Sequence, residues 1–185
     1  EETAAQTATH GVAQANTGAA LFSWRAGASP HDLQARGAAS VTKDGSLKLA
    51  GGSFVLKETA ERLLEACRNS HALTLEVEFT AANTQQGGPA RIVSFSSDPF
   101  RRNFTLGQEA DTLVLRLRTP LTGDNGMNPQ TTLGQVVAGR RHHLVVTYMP
   151  GRLTWRLDGR AAVESEAVRG DFSNWERQTL LVGNE

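Results

Sequence analysis

The chain has almost no means of cross-linking itself. A single cysteine, Cys67, stands in 185 residues, which excludes an intrachain disulfide framework, paired CxxC zinc sites and a CxxCH haem site. Charge of one sign is lacking as well, since 19 basic and 19 acidic side chains leave a formal net charge of zero. Without a global field, nucleic acid and anionic membrane surfaces are disfavoured as partners. No apolar run approaches the roughly 20 residues that span a bilayer, and the first residues lack the basic and apolar regions of an uncleaved signal peptide. Neither a GxxxxGK[ST] phosphate loop nor a nucleophile elbow occurs.

What remains is the composition of an ordinary soluble globular protein, long enough for one substantial core. Residues 1–19 are rich in Ala, Thr, Gln and Gly without periodicity. They offer no apolar face to offset the entropy of ordering, so a flexible leader or linker is expected there. Such a stretch resembles the spacer after a signal-peptidase or lipoprotein cleavage point, which favours export to the periplasm or beyond. Residues 20–185 are expected to form one domain.

The most legible stretch is RRHHLVVTYMPGRLTWRLDG, residues 140–159. Leu153, Trp155 and Leu157 alternate with Arg152, Thr154, Arg156 and Asp158, the period of two of a strand with one buried face. Pro150-Gly151 turns the preceding strand into this one. Asp158-Gly159 suits a type I′ turn, so residues 160–165 are expected to return antiparallel with Ala161 and Val163 on one face. Alternation also marks HALTLEVEFT at 71–80, and strand patterns recur about every ten residues at 90–97, 103–107, 112–118, 131–137 and 179–182. ALFSW at 20–24 is the first strand candidate. The pair 46–50 and 53–56, divided by Gly51-Gly52, reads as a hairpin or as a strand that changes sheet. One helix is expected at 58–69, where Ala60, Leu63, Leu64 and Cys67 share a stripe at i, i+3, i+4 and i+7. Cys67 then faces the core and is inert, since apolar burial raises a thiol pKa.

Four segments carry a family resemblance: LTLEVEFT, then RIVSFSSDPFRRNFTLGQ with LVLRLRTPLTGDNG, then RHHLVVTYMPGRLTWRLDGR, and GDFSNWERQTLLVGNE. Together they are similar to the laminin-G-like jelly rolls of the concanavalin A-like lectin/glucanase superfamily, in their bacterial form. The resemblance implies an all-β fold, an antiparallel two-sheet β-sandwich with six or seven strands per sheet. It implies an exported module that binds a glycan or a protein, or acts as a spacer. It further implies a strand beyond the GNE-like end that pairs with the first strand. ALFSW is therefore expected to be an unprotected edge, with Phe22 and Trp24 presented to a segment from a second polypeptide.

Carboxylates on a strand face are the catalysts of the superfamily's glycoside hydrolases. Glu76 and Glu78 lie at i and i+2, but the third carboxylate of an ExDxE-type run is missing, and two solvated glutamates are the simpler reading. A glycan-active hydrolase stays as an alternative, and no catalytic residue is assigned. His142 and His143 are adjacent on a strand and point to opposite faces, so they cannot share a metal ion. Asp124, Asn125 and Asn128 in TGDNGMNP are the best local oxygen cluster for calcium, against a plain Asx-rich turn. Trp175 could serve as a sugar platform flanked by Asp171 and Asn174, or it could close the sandwich end. Arg101 and Arg102 could hold an anionic sugar or remain on the solvated surface. Asn103-Phe104-Thr105 matches a glycosylation sequon and is discounted.

Overall fold

The computed structural model describes residues 19–28 and 32–184. The leader expected over residues 1–19 lies, save for its last residue, outside them. The described residues form an all-β sandwich with one helix. Its larger sheet has seven strands in the order β1 (Gln34–Arg36), β4 (Ser53–Val55), β13 (Thr179–Gly183), β6 (Ala90–Ser96), β7 (Arg102–Glu109), β8 (Thr112–Leu117) and β9 (Thr131–Gln135). Its smaller sheet has four, in the order β12 (Val163–Ser165), β11 (Arg152–Leu157), β10 (Arg141–Met149) and β5 (Leu73–Thr80). Every pairing is antiparallel. A separate ladder joins β2 (Ser40–Val41) to β3 (Leu47–Lys48). Because β3 pairs with β2 while β4 pairs with β1 and β13, the chain changes sheet at Gly51-Gly52 rather than making a hairpin there.

Helix α1 runs from Lys57 to Ser70, with Ala60 and Cys67 buried and Leu63 and Leu64 half-buried against the core. Its N-cap residue, Leu56, has no oxygen in its side chain. The carboxylate of Asp32 takes over from 26 residues away, accepting the N–H of Glu58 at 3.0 Å and that of Thr59 at 2.6 Å. That satisfies two of the donors every helix N-terminus leaves open. At the other end His71 adopts a left-handed conformation and its N–H returns to the Cys67 carbonyl.

Three expectations fail. The smaller sheet has four strands among the described residues, fewer than the six or seven expected. Ala20–Trp24 is not a strand. The ladder position beside β4 is filled by Gln34–Arg36, three exposed residues from a stretch that reads as surface turn. Phe22 instead packs part-buried against the core and Trp24 is half-buried, so neither is a pairing edge. The return after Asp158-Gly159 is also shorter than expected. The turn itself forms, with positive φ at both residues and Arg160 N–H donating to the Leu157 carbonyl at 3.2 Å. Pairing resumes only at Val163, and Ala161 is exposed outside any strand.

The core lies between the sheets and is closed at one end by aromatic rings. Phe172 stacks on Trp175 with centroids 4.1 Å apart. Trp175 meets Phe95 and Phe104 of the large sheet edge-on or tilted at 6.1 and 6.0 Å, while Phe172 meets Tyr148 of the small sheet at 5.2 Å. These separations are those of favourable aromatic pairs. Trp175 Nε1 donates to the Arg118 carbonyl at 2.7 Å, and the Tyr148 hydroxyl donates to the Gly170 carbonyl at 2.7 Å, so neither buried polar tip is wasted. Truncating Trp175 to alanine should destabilise the domain by about 3–5 kcal/mol. Urea unfolding of Trp175→Ala against the parent chain checks this.

Candidate functional site

Trp175 is 1% exposed, so neither ring face is open to a sugar. The platform reading is therefore corrected: the apolar contacts that make the ring a good stacking surface are spent inside the sandwich. Asp171 Oδ1 accepts both the N–H and the hydroxyl of Ser173, at 3.0 and 2.6 Å, which makes an Asx turn that orients Phe172. Asn174 is half-buried beside it. Loop 166–178 is tied to the large sheet by Asn103, whose side chain donates to the Glu176 carbonyl at 2.7 Å and accepts the Glu176 N–H at 3.0 Å. Asn103 is fully buried, which explains why its sequon is no surface feature.

Arg101 and Arg102 part company. Arg101 is exposed and pairs with Asp98 at 3.0 Å, while Asp98 also accepts the N–H groups of Phe100 and Arg101 at 2.8 Å each. Arg102 is 1% exposed, with Nη1 3.3 Å from the Thr105 hydroxyl and Nη2 on the Pro99 carbonyl. In TGDNGMNP each of the three candidate residues has a partner of its own. Asp124 lies 3.4 Å from the buried guanidinium of Arg118, which also holds Glu176 at 2.7 Å. Asn125 spends its oxygen on the Met127 N–H at 3.3 Å, and Asn128 uses its backbone N–H on the Thr122 carbonyl. Calcium takes six to eight oxygens. Here the loop's one carboxylate faces a cation, and among the described residues no three His, Cys, Asp or Glu side chains group for a metal.

On the outer face of the small sheet, Glu76 is 2.9 Å from His143 Nε2 and Glu78 pairs with Arg141. These cross-strand pairs occupy both glutamates. The two histidines do point to opposite faces, and His142 is the inward one, 1% exposed and tilted against Phe79. Its Nε2 lies 3.0 Å from the Val137 nitrogen and 3.3 Å from the Val137 carbonyl oxygen, and its Nδ1 faces Asp158 Oδ2 at 2.9 Å. Cys67 is buried, and desolvation pushes its thiol up to about 12.

The polar chemistry is concentrated elsewhere, on the outward face of the seven-stranded sheet. The register places Leu180, Phe95, Phe104 and Leu117 in one cross-strand row and Val182, Val93, Leu106 and Leu115 in another, both toward the core. The row between them, Val55, Leu181, Ser94, Thr105 and Arg116, must point away. So must Arg36 and Ser53 on β1 and β4, and Thr179 and Ser96 on β13 and β6. Ser94 and Ser96 share a hydrogen bond at 3.0 Å, and Arg116 Nε donates to Gln130 Oε1 at 2.6 Å.

At one end of this face a pocket of about 270 Å³ is lined, among the described residues, by Arg36, Ser53, Ser96, Ser97, Thr179 and Asn184, with Leu181 and three glycines. Of these, Ser53 and Ser96 are buried, the Ser97 hydroxyl donates to Gln178 Oε1, and Arg36 and Asn184 are exposed. The glycine backbone forms one wall. A Cβ on Gly52 would fall 2.3 Å from both the Arg36 carbonyl oxygen and the Ala39 nitrogen, so only glycine lets the loops after β1 and β3 cross this closely. Asn184 is held in place by the Arg91 N–H, which donates to its Oδ1 at 2.7 Å. A second cavity of about 260 Å³ adjoins it past Arg36 and Thr179, beside the start of α1.

None of the pocket's lining was singled out from the sequence. A signal was there: in RIVSFSS and NFTLG the residues between the apolar ones are serines and threonines rather than the charged residues of a solvated face. Compared with known proteins, the chain matches no protein-family model and no curated protein. No helix among the described residues is long and apolar enough to cross a membrane.

Asp158 supplies a pH test of the hairpin. Burial alone would raise its pKa, but the N–H of His143 at 3.0 Å, His142 and Arg140 together hold it below the ordinary 3.8. A carboxyl depressed on folding stabilises fully above its unfolded value, and that contribution is lost as pH falls through the folded value. Asp158→Asn should cost on the order of 1–2 kcal/mol at neutral pH. The gap to the parent chain should close below about pH 3.8, as chemical denaturation over a pH series will read.

Proposed function

We propose that this chain is a non-catalytic recognition module of laminin-G-like type, exported from the cytoplasm, that binds carbohydrate in the polar pocket on its larger sheet. The observation that carries this reading is the convergence of Arg36, Ser53, Ser96, Ser97, Thr179 and Asn184 on one cavity. Hydroxyl and amide groups that both donate and accept match the same mixed capacity of sugar hydroxyls. A few placed polar groups in a cavity of this kind are what orient a small ligand. The non-catalytic part is supported by the carboxylates. Glycosidases need two of them flanking the bond to be broken, whereas the described lining residues include none, and Glu76 and Glu78 are engaged by His143 and Arg141.

A glycan array with and without calcium tests the proposal directly. Thr179→Val and Ser97→Ala should each weaken the best hit by about tenfold, the factor that corresponds to one lost hydrogen bond of about 1.4 kcal/mol. An array silent under both conditions, or hits indifferent to both substitutions, would sink the proposal.

A second reading, assembly with a partner by strand addition, is favoured by β5. Among the described residues β5 pairs only with β10. Its inward residues Leu75, Val77 and Phe79 are half-buried, whereas Leu144, Val146 and Tyr148 on the neighbouring strand are buried. An eight-residue open ladder over a half-covered apolar row is a template for another strand. Hydrogen exchange should find the β5 amides that face away from β10 unprotected and the alternate ones slow. Uniform protection along β5 would show the edge already covered and rule this reading out.

A further inference from the structure

We infer that the end of the sandwich carrying the β6–β7 and β8–β9 loops docks on a lipid surface, with Phe100, Leu121, Met127 and Met149 entering the interfacial layer of the bilayer. This goes beyond the reading of the pocket and does not depend on it. The two loops are patterned inside out. In residues 97–103, Arg102 and Asn103 are buried while Phe100 is 76% exposed. In residues 118–128, Thr119 and Thr122 are buried while Leu121 is 67% and Met127 42% exposed. Loops that face only water do the reverse, so buried polar groups beside exposed large apolar ones mark a contact surface.

The inversion is built into the backbone. The Thr122 hydroxyl accepts the Thr119 N–H and donates to the Leu117 carbonyl, both at 2.7 Å, and Thr119 Oγ1 accepts the Leu121 N–H at 3.1 Å. A turn whose hydroxyls are spent inward in this way leaves Pro120 and Leu121 outside. Asp98 plays the same part in the other loop, accepting the N–H groups of Phe100 and Arg101 at 2.8 Å each. The loops touch, since the Arg102 N–H donates to the Asp124 carbonyl at 3.4 Å. Met149 joins them through the next turn. The Gly151 N–H donates to the Tyr148 hydroxyl, which donates to the Gly170 carbonyl, and a Cβ on Gly170 would meet Thr119 Oγ1 at 2.8 Å. Among the described residues, four of the seven large apolar side chains left exposed thus stand at this one end, which sets them apart from single exposed residues scattered over a surface.

Shape and charge say what covers this end. A protein partner buries a continuous patch of roughly 800 Å² on each side, whereas these side chains stand singly at loop tips with Arg101, Asp124 and Asn125 between them. A second copy would need a recess to seat them, and Phe172 and Trp175, both buried, fill the end from within. A fluid bilayer needs neither patch nor recess, because it closes around separate apolar tips and gains from each. The charges suit a zwitterionic surface. Arg101 pairs with Asp98, and the buried Arg118 holds Asp124 and Glu176, so the rim presents no block of like charge to phosphate or ammonium groups. The zero formal charge of the whole chain agrees with a surface of that kind.

Co-sedimentation of the full chain with phosphatidylcholine vesicles, in low and high salt, tests this. The expected result is binding that persists in high salt and that the double variant Phe100→Ser, Leu121→Ser weakens by about tenfold or more, as the loss of two apolar tips requires. Thermal melting of the double variant should match the parent, because both side chains lie outside the core. Phe100→Trp adds a reading that needs no loss of binding: its emission should shift to the blue on adding vesicles and be quenched by bromine-labelled acyl chains. Absence of vesicle binding overturns the proposal, as does binding that the double variant leaves unchanged while Phe100→Trp shows no shift. Binding abolished by high salt overturns it too, since charge would then carry the contact. A dimer that the double variant dissociates, without vesicle binding, assigns the end to a second copy instead. The vesicles carry no sugar, so failure here leaves the glycan reading of the pocket standing, and a silent glycan array leaves this one.

Discussion

The stack of Phe172 on Trp175 is the contact on which the sandwich depends. Its two rings come from one loop, yet one reaches Tyr148 on the small sheet and the other reaches Phe95 and Phe104 on the large one. Sheets in a sandwich share no backbone ladder, so side chains set their spacing. Here an aromatic pair does so at one end, and polar groups hold the loop that carries it. Asn103 binds the Glu176 backbone in both directions, His71 Nδ1 accepts the Phe172 N–H at 3.3 Å, and Thr119 donates to the Arg169 carbonyl at 2.5 Å. The helix end, both sheets and the loop are thereby locked to one another.

That lock has a functional side. A rim loop used as internal packing cannot also present its tryptophan to solvent, and the charges around it are consumed in the same task. Arg118, buried, satisfies Glu176 and Asp124, and Arg101 satisfies Asp98. The polar groups of the rim thus become structural. The other side of the large sheet carries Ser94 and Ser96 on β6, Thr105 on β7 and Thr179 on β13, beside the apolar Leu181. Ser94, Ser96 and Thr105 are buried on that side, with the Arg102 guanidinium against the Thr105 hydroxyl.

Period-two alternation made most of the architecture legible. Leu73, Leu75, Val77 and Phe79, like Leu153, Trp155 and Leu157, lie on inward faces because nothing competes with burial there. The helix stripe was equally readable, down to an inert Cys67. Ala20–Trp24 misled because an apolar pentamer says nothing about whether a ladder position is vacant, and Gln34–Arg36 held it with exposed residues. The pocket was invisible for a different reason. Its lining comes from residues 36, 53, 96–97, 179 and 184, brought together by a strand order of 1-4-13-6. No local pattern encodes that crossing, and the alternating Ser and Thr residues hint at a sheltered face without saying which strands share it.

The close passage of Gly52 against the Arg36 carbonyl and the Ala39 nitrogen bears on how such a site could change over evolutionary time. At Gly52 no side chain can be added without first separating the two loops, whereas a Cβ at Gly51 would meet nothing within 4 Å. Variation in the recess is then easiest at Arg36, Ser53, Ser96, Ser97, Thr179 and Asn184. A lineage of such proteins would keep the shape of the recess while altering its chemistry. Its polarity would change by exchanging one small polar group for another.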